Sequence, residues 1–220
     1  MKKSKNLLSI SILLIVLLVV GVAQALNYLS KTYKLAIYNP ADLNPELVDE
    51  SLRSINEGHT VADFELINQN GETITQEVYK DKIYVVDFFF SSCPTICPVM
   101  FNNMARIQKE FINDDNIMLL SLSVTPESDS VPRLREYANS KGVNDSKWNV
   151  TTGNKKHIYE LARKSYFAVT DEGDGGLQDF IHTSNFILVD KDKQIRGIYD
   201  GIKDDEILRL IEEIKILPKD

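Results

Sequence analysis

Thiols and imidazoles are scarce in this sequence of 220 residues, which contains two cysteines and three histidines. The two cysteines, Cys93 and Cys97, are so close together that a disulfide between them would close a very short loop and contribute little chain-entropy stabilisation. A purely structural disulfide is therefore disfavoured. A structural zinc site is disfavoured as well, because it usually takes four protein ligands and only three good candidates are visible.

Positive charge is also in deficit, since 25 lysines and arginines face 32 aspartates and glutamates and the formal net charge is −7. Residues 1–26 contain three lysines and no acidic residue, so the rest of the chain carries a charge of −10. An acidic domain of this kind is a poor candidate for binding nucleic acid. We find no internal repeat or low-complexity tract, and the length beyond residue 26 suits one domain plus a tether.

The N-terminus has the pattern of an exported or anchored protein. Residues 7–26 (LLSISILLIVLLVVGVAQAL) contain no charge and are long enough to cross a bilayer as a helix. Lys2, Lys3 and Lys5 precede this run, which predicts a cytoplasmic N-terminus and an exported remainder. Because the run is longer than the apolar region of a signal peptide, we favour a retained single-pass anchor over cleavage after Ala25. The expected location is the bacterial cytoplasmic membrane, with the folded domain on the periplasmic side.

Three regions are expected along the chain: a membrane anchor at 1–26, a membrane-proximal spacer at 27–57 and a folded domain at 58–220. Within the domain, short β-prone segments alternate with longer segments whose apolar residues recur at helical spacing. The predicted strands cover 61–68, 72–76, 83–90, 116–124, 147–151, 185–190 and 194–200. The predicted helices cover 100–112, 131–141, 154–166 and 204–217. This alternation, followed by a terminal hairpin, predicts an α/β fold with a mixed sheet.

The cysteine pair lies between a buried strand and a helix, in FFFSSCPTICPVM (88–100). Pro94 and Pro98 stiffen this loop, and the spacing of four residues places both sulfurs on one face if the turn is helical. The start of a helix offers unpaired N–H groups and a positive dipole end, so we expect both thiols to favour the thiolate form. In an oxidising compartment such a pair forms a disulfide unless it is reduced or bound to metal. Two pre-positioned thiolates suit Cu(I).

Two thiolates leave the coordination of copper incomplete, so a third ligand should come from elsewhere in the chain. His157 lies on a predicted helix, where a solvated face explains it, and His59 lies at the entrance to the domain. His182, in DFIHTSNFILVD (179–190), lies in the loop that leads into a strand expected to neighbour the cysteine-bearing strand. We therefore favour His182 as the third ligand.

The segments FFFSSCPTICP, SLSVTPESD and DFIHT together resemble the SCO/SenC family. The resemblance covers about residues 58–215 and implies a thioredoxin-like fold with a central mixed sheet flanked by helices. It also implies a membrane-tethered copper chaperone that binds one copper ion, Cu(I) or Cu(II), through Cys93, Cys97 and His182. The implied partners are thiol–disulfide reductants and the copper-accepting subunit of a haem–copper oxidase. The chaperone would deliver copper to the binuclear copper centre of cytochrome c oxidase or maintain its thiols.

The sequence departs from the family pattern around these predicted ligands. Four positions that are commonly charged in the family are uncharged here: Thr95, Thr125, Ser128 and Ile181. Polar neighbours of metal ligands tune affinity and redox potential, so Cu(II) stability is left open by these departures. Asp87 and Asp129 could substitute electrostatically, although a capping or turn role fits either residue equally well.

Two enzyme classes are alternatives to a metallochaperone. A thiol–disulfide oxidoreductase of the periplasm would use Cys93 and Cys97 as a redox pair, without metal. Reductases of the thioredoxin type, however, have CxxC and a proline before the strand facing the site, and residues 180–187 contain no proline. A thiol peroxidase would carry a threonine where this chain has Phe90. We therefore expect a metallochaperone rather than a turnover enzyme, although thiol reduction and copper binding could operate in one protein.

Overall fold

The computed structural model describes residues 12–25, 35–169, 175–176 and 178–217. Residues 12–25 form helix α1. Among the described residues, no helix is both long and apolar enough to cross a membrane. Residues 7–11 and 26, which complete the predicted membrane span, lie outside the described part of the chain.

A second compact unit begins at Ala36 and contains a seven-stranded sheet. Its strands are β1 (Glu65–Asn68), β2 (Thr73–Thr75), β3 (Ile83–Phe89), β4 (Ile117–Ser123), β5 (Trp148–Thr152), β6 (Asn185–Val189) and β7 (Ile195–Asp200). Its helices are α2 (Ile96–Glu110), α3 (Val131–Lys141), α4 (Lys155–Glu160) and α5 (Asp204–Ile216). Short 3-10 turns cover Pro40–Asp42, Pro45–Leu47 and Gln76–Tyr79, and α4 continues into a π-helical turn at Leu161–Ser165.

The strands are ordered β2-β1-β5-β4-β3-β6-β7 across the sheet. The three central strands β5, β4 and β3 are parallel, and the outer pairings are antiparallel. Every residue of β3 and β4 is buried, because both faces of the sheet are covered at its centre. This burial explains why the two strands are nearly continuous apolar runs in the sequence. The predicted α/β fold with a mixed sheet is confirmed.

Glycine sets two of the predicted boundaries. Gly71 has a φ of +79°, and its N–H donates to the Asn68 carbonyl at 2.9 Å in the turn between β1 and β2. Only glycine adopts this backbone conformation without strain, as the Asn-Gly pattern indicated. Gly142, with a φ of +69°, ends α3 in the left-handed conformation.

Residues 36–57, which the sequence pattern assigned to the spacer, pack against the sheet. Tyr38 forms an isolated antiparallel bridge with β7. Val48 is 2% exposed and belongs to the main hydrophobic core. The compact unit therefore begins at Ala36 rather than at Gly58. Tyr38 and Val48 flank short 3-10 turns and show no helical or alternating period, and this is why the sequence pattern did not reveal their packing.

Candidate functional site

Cys93 and Cys97 lie where the buried strand β3 passes into helix α2. Cys93 is in the connecting loop, and Cys97 is in the first turn of the helix. The Cys93 N–H donates to the carbonyl of Phe90 at 3.2 Å, which closes a tight turn ahead of the cysteine. Both thiols are free and buried. Because β3 and its parallel neighbours end here, the pair lies at the edge of the sheet where open α/β folds place their sites.

The two thiols influence each other's ionisation but differ in acidity. Burial alone would raise the pKa of Cys93, but hydrogen bonds from the backbone N–H groups of Cys97 and Thr95 and from the Cys97 thiol lower it to about 7. Burial, together with the hydrogen bond to Cys93, raises the pKa of Cys97 to about 12. The expectation of two thiolates therefore does not hold for Cys97. Near neutral pH, Cys93 is therefore partly ionised to the thiolate, whereas Cys97 remains a thiol.

Asp87, in the middle of β3, is a buried carboxyl group that is coupled to this pair. One of its oxygens accepts a hydrogen bond from the Ser121 hydroxyl, which in turn accepts one from the Trp148 ring N–H at 2.8 Å. The other oxygen, Oδ2, has no hydrogen-bond partner among the described residues. Burial raises the pKa of Asp87 to about 7, and the charge of Asp87 contributes to the raised pKa of Cys97. Asp87 is therefore neither a cap nor a turn residue.

Asp129 joins the cysteine loop to the end of β4. Its carboxylate is 1% exposed and accepts hydrogen bonds from the backbone N–H of Ser91 at 3.1 Å and from the Ser91 hydroxyl at 2.5 Å. It also accepts hydrogen bonds from the hydroxyls of Ser123 at 2.6 Å and Thr125 at 3.0 Å. Thr125, one of the departures from the family pattern, thus supplies a donor to a buried carboxylate.

Ser91 and Arg133 belong to this site but were not identified from the sequence. Arg133 donates from Nε to the Ser91 hydroxyl oxygen at 2.6 Å and lies 3.5 Å from a carboxylate oxygen of Asp129. Together with Tyr137 they line a cleft of about 370 Å³ beside the cysteine loop. Asp129 and Arg133 have opposite charges and are four positions apart in the sequence. This spacing is the one feature of the sequence that could have indicated that they interact.

His182 lies in the segment that enters β6, at the same edge of the sheet as the cysteines. β6 pairs with β3 in the register Val86–Ile187, so the two strands are neighbours as expected. The His182 side chain is exposed, and its ring centroid is 6.4 Å from that of Phe90. Within the described ranges, no three His, Cys, Asp or Glu side chains lie close enough together to hold a metal ion. The structure thus places the two cysteines next to each other. His182 lies beside their loop, but it does not form a shared metal-binding group with them.

The backbone around His182 is anchored on both sides. On one side, Asp179 forms a bidentate ion pair with Arg163, with N–O distances of 2.6 and 2.7 Å. Ile181 is buried in the main core. On the other side, the Thr183 hydroxyl donates to a main-chain carbonyl at 2.6 Å. Isoleucine at position 181, another departure from the family pattern, therefore holds the backbone next to His182 through apolar burial.

The other two histidines lie in packing environments. The His59 ring nitrogen Nε2 is 2.9 Å from the carbonyl oxygen of Ser165, and the ring lies 4.7 Å from that of Phe167. Burial lowers the pKa of His59. His157 is half-buried on α4 rather than on a fully solvated face, and its Nε2 has no hydrogen-bond partner among the described residues.

Comparison with known proteins finds relatives of this chain by sequence and by structure. A family model described as SCO1/SenC matches residues 53–217. The SCO1 protein homolog of Bacillus subtilis (strain 168) is 31% identical over 159 residues, which cover 71% of this chain and 82% of that protein. The solved structure of BsSco, a member of the Sco family of cytochrome c oxidase assembly proteins in which a disulfide switch was identified, is 30% identical. Its TM-score is 0.60, with 73% of this chain and 95% of that chain covered.

A more distant structure is similar in fold. Arabidopsis thaliana ScoI with copper bound is 24% identical to this chain, with a TM-score of 0.56 and coverage of 71% of this chain and 97% of that chain. The mixed sheet with its flanking helices matches these solved structures, which confirms the predicted thioredoxin-like fold.

Proposed function

Because the chain belongs to the SCO1/SenC family, we propose that it is a copper chaperone that binds one copper ion, Cu(I) or Cu(II), through Cys93, Cys97 and His182. The observation that carries this proposal is the buried, free thiol pair at the start of α2, with a histidine-bearing segment beside it. Two sulfur ligands and one imidazole suit copper, above all Cu(I). The relatives add support, since copper is bound in Arabidopsis thaliana ScoI and BsSco belongs to a family of oxidase assembly proteins.

Copper binding requires two changes in the site. The Cys97 thiol, whose pKa is about 12, must lose its proton, because the metal ligand is the thiolate. The His182 ring must also move toward the sulfurs, because the three groups do not form a shared coordination sphere in the described structure. Ile181 and Thr183 hold the backbone on either side of His182. Completion of the site therefore requires His182 to approach the two sulfurs.

The same cysteines supply a redox gate. Oxidation of Cys93 and Cys97 to a disulfide releases two protons and two electrons to an oxidant, and it removes two of the three ligands. A thiol–disulfide reductant reopens the site by the reverse reaction. Three protein ligands also leave one side of the copper ion open, so ligands of an acceptor protein can displace them one by one. We propose that this acceptor is the copper-accepting subunit of a haem–copper oxidase.

We propose in addition that residues 7–26 form a retained single-pass anchor in the bacterial cytoplasmic membrane, with the second compact unit on the periplasmic side. The uncharged length of this run and the lysines before it support the proposal. A tether would confine the chaperone to the membrane in which its acceptor is assembled.

A thiol–disulfide reductase is the second candidate function, and one observation favours it. Cys93 has a pKa of about 7 and can attack as a thiolate, whereas Cys97 keeps its proton. One thiolate next to one protonated thiol is the arrangement of an attacking and a resolving cysteine. The reductase would use the same pair without His182, so this histidine distinguishes the two functions.

Anaerobic copper titration of the reduced full chain tests the proposed function. In competition with a Cu(I) chelator, the wild-type chain should bind one equivalent. Cys93→Ser, Cys97→Ser and His182→Ala should each lose affinity by about two orders of magnitude or more, because each removes one ligand of three. His157→Ala is the matched control and should bind copper like the wild-type chain.

Two results would contradict these assignments. Wild-type affinity in His182→Ala would remove His182 from the ligand set. No competitive copper binding by the wild-type chain, combined with insulin reduction at a turnover comparable to that of thioredoxin, would replace the chaperone by the reductase.

A further inference from the structure

Asp129 lies at the centre of a group of hydrogen bonds that the proposed function does not use. We call Ser91, Ser123, Thr125 and Asp129 the loop clamp. The Asp129 carboxylate accepts four hydrogen bonds from the other three residues, at 2.5–3.1 Å. Hydrogen bonds to an ionised acceptor are the stronger kind, and a buried carboxylate needs several of them to offset its desolvation. The loop clamp is therefore a fully satisfied polar group rather than a loose surface contact.

The loop clamp holds the cysteine loop at its first residues. Ser91 lies two positions before Cys93, and both its N–H and its hydroxyl are bound by Asp129. Ser123 is the last residue of β4. The Val124 N–H donates to the Phe89 carbonyl at 2.8 Å, which continues the pairing of β3 and β4 to the point where the loop clamp begins. The segment that carries Cys93 is thus attached to the centre of the sheet through one carboxylate.

Thr125 contributes a hydrogen-bond donor to the loop clamp. A carboxylate at position 125 would repel Asp129 and could not donate a hydrogen bond to it. Threonine supplies a hydroxyl donor instead. Arg133, with Nε 3.5 Å from the Asp129 carboxylate, provides the nearby positive charge.

We propose that Asp129 is a positioning residue for the thiol pair: through Ser91 it fixes the loop so that Cys93 is in place before copper arrives. This proposal rests on the proposed copper function for its affinity readout, but its structural part does not depend on copper. A group that only stabilises the fold would change the stability of the whole unit. A positioning group changes the order of its own loop and the affinity of the ligands on that loop.

The test compares Asp129→Asn with a matched buried aspartate. Asp190 is 5% exposed and accepts hydrogen bonds from two backbone N–H groups and from Arg196. It lies in the turn between β6 and β7, at the end of the sheet opposite the cysteines, since Val189 pairs with Tyr84 near the start of β3. Asp190→Asn therefore controls for the general cost of altering a buried, hydrogen-bonded carboxylate.

Two measurements are made on the reduced full chain. Hydrogen exchange of the Ser91 and Cys93 amides should become faster in Asp129→Asn and stay unchanged in Asp190→Asn. Copper(I) affinity, measured by chelator competition, should fall about 10–100-fold in Asp129→Asn and stay within about twofold of the wild-type value in Asp190→Asn. Ser91→Ala should weaken affinity in the same direction, and Ser91→Thr should restore it because the hydroxyl is kept.

The possible outcomes separate this proposal from the proposed function. Wild-type exchange and wild-type affinity in Asp129→Asn would overturn the positioning role, and so would an equal loss of affinity in Asp190→Asn. If Asp129→Asn does not fold, the pair Ser91→Ala and Ser91→Thr decides in its place. If the wild-type chain binds no copper, the copper function fails, and the positioning role is judged from loop exchange and from the thiol–disulfide equilibrium with glutathione. An equilibrium and an exchange pattern unchanged by Asp129→Asn would then overturn it.

Discussion

Alkylation of the reduced, copper-free chain at neutral pH should modify Cys93 and leave Cys97 nearly untouched. Burial acts against the Cys93 thiolate, but hydrogen bonds from Cys97 and Thr95 outweigh it and lower the pKa of Cys93 to about 7 from an ordinary value of 9.0. Burial raises the pKa of Cys97 to about 12. At pH 7 about half of Cys93 is therefore thiolate, against about 1% of an ordinary thiol and about 0.001% of Cys97.

The rate advantage of Cys93 is smaller than the ratio of thiolate fractions. Nucleophilicity falls as the pKa of a thiol falls, with a Brønsted coefficient of about 0.4–0.5, so a pKa lower by two units costs about tenfold in intrinsic reactivity. On acidity alone, Cys93 would react about fivefold faster than an ordinary thiol at pH 7. Because Cys93 is only 7% exposed, restricted access lowers the observed rate below this value. Its rate should level off above about pH 8, whereas the rate of an ordinary thiol keeps rising toward pH 10.

The assay is a series of short iodoacetamide pulses between pH 5 and 10, with each cysteine quantified by mass spectrometry. Thr95→Val is a useful companion, because it removes the hydroxyl that lies 3.7 Å from the Cys93 sulfur and keeps the backbone N–H. This variant should move the midpoint upward by a fraction of a pH unit. A wild-type midpoint near pH 9, or faster labelling of Cys97 than of Cys93, would refute the reasoning.

Two further predictions concern the buried carboxyl groups around the site. The pKa of Asp87 is raised by burial to about 7, so its ionisation should destabilise the folded chain progressively as the pH rises from about 4 to 7. The difference in unfolding free energy between Asp87→Asn and the wild-type chain, measured by urea titration, should therefore shift in favour of the variant by on the order of 3 kcal/mol from pH 4 to pH 8. The same difference at both pH values would contradict this prediction. Arg163→Ala should cost about 3–5 kcal/mol of unfolding free energy, because it leaves the buried Asp179 carboxylate without its ion-pair partner. Arg163→Lys should lose less, and a loss below about 1 kcal/mol in Arg163→Ala would mean that water already screens the pair.

Local patterns were sufficient to predict most of the fold. The largely apolar runs at 83–90 and 116–124 became β3 and β4, because strands buried on both faces have few polar positions. The Asn-Gly turn and Gly142 set boundaries through backbone conformations that neighbouring residues determine. The helix predicted at 154–166 was predicted less well, because α4 changes to π-helical geometry at Leu161 and sequence periodicity does not report that change.

Contacts between distant segments could not be predicted in the same way. Ser91 and Asp129 are 38 positions apart. Nothing in either segment alone indicates that the Asp129 carboxylate would accept a hydrogen bond from the backbone N–H of Ser91. In the sequence, Asp87 is a single polar residue within an apolar strand. Its raised pKa results from burial, and that burial exists only in the assembled sheet. The acidity of Cys97 was mispredicted for the same reason: the helix-terminus argument omitted the cost of burying a charge.

The hydrogen bonds from Trp148 through Ser121 to Asp87 have a practical consequence. Trp148 is the only tryptophan in the chain, so the indole emission of the whole protein comes from one ring. That ring is connected through a single hydroxyl to a carboxyl group whose charge influences the acidity of Cys97. The intensity of tryptophan fluorescence should therefore change when the ionisation of the sulfur pair changes. No dye or introduced residue is needed for this measurement.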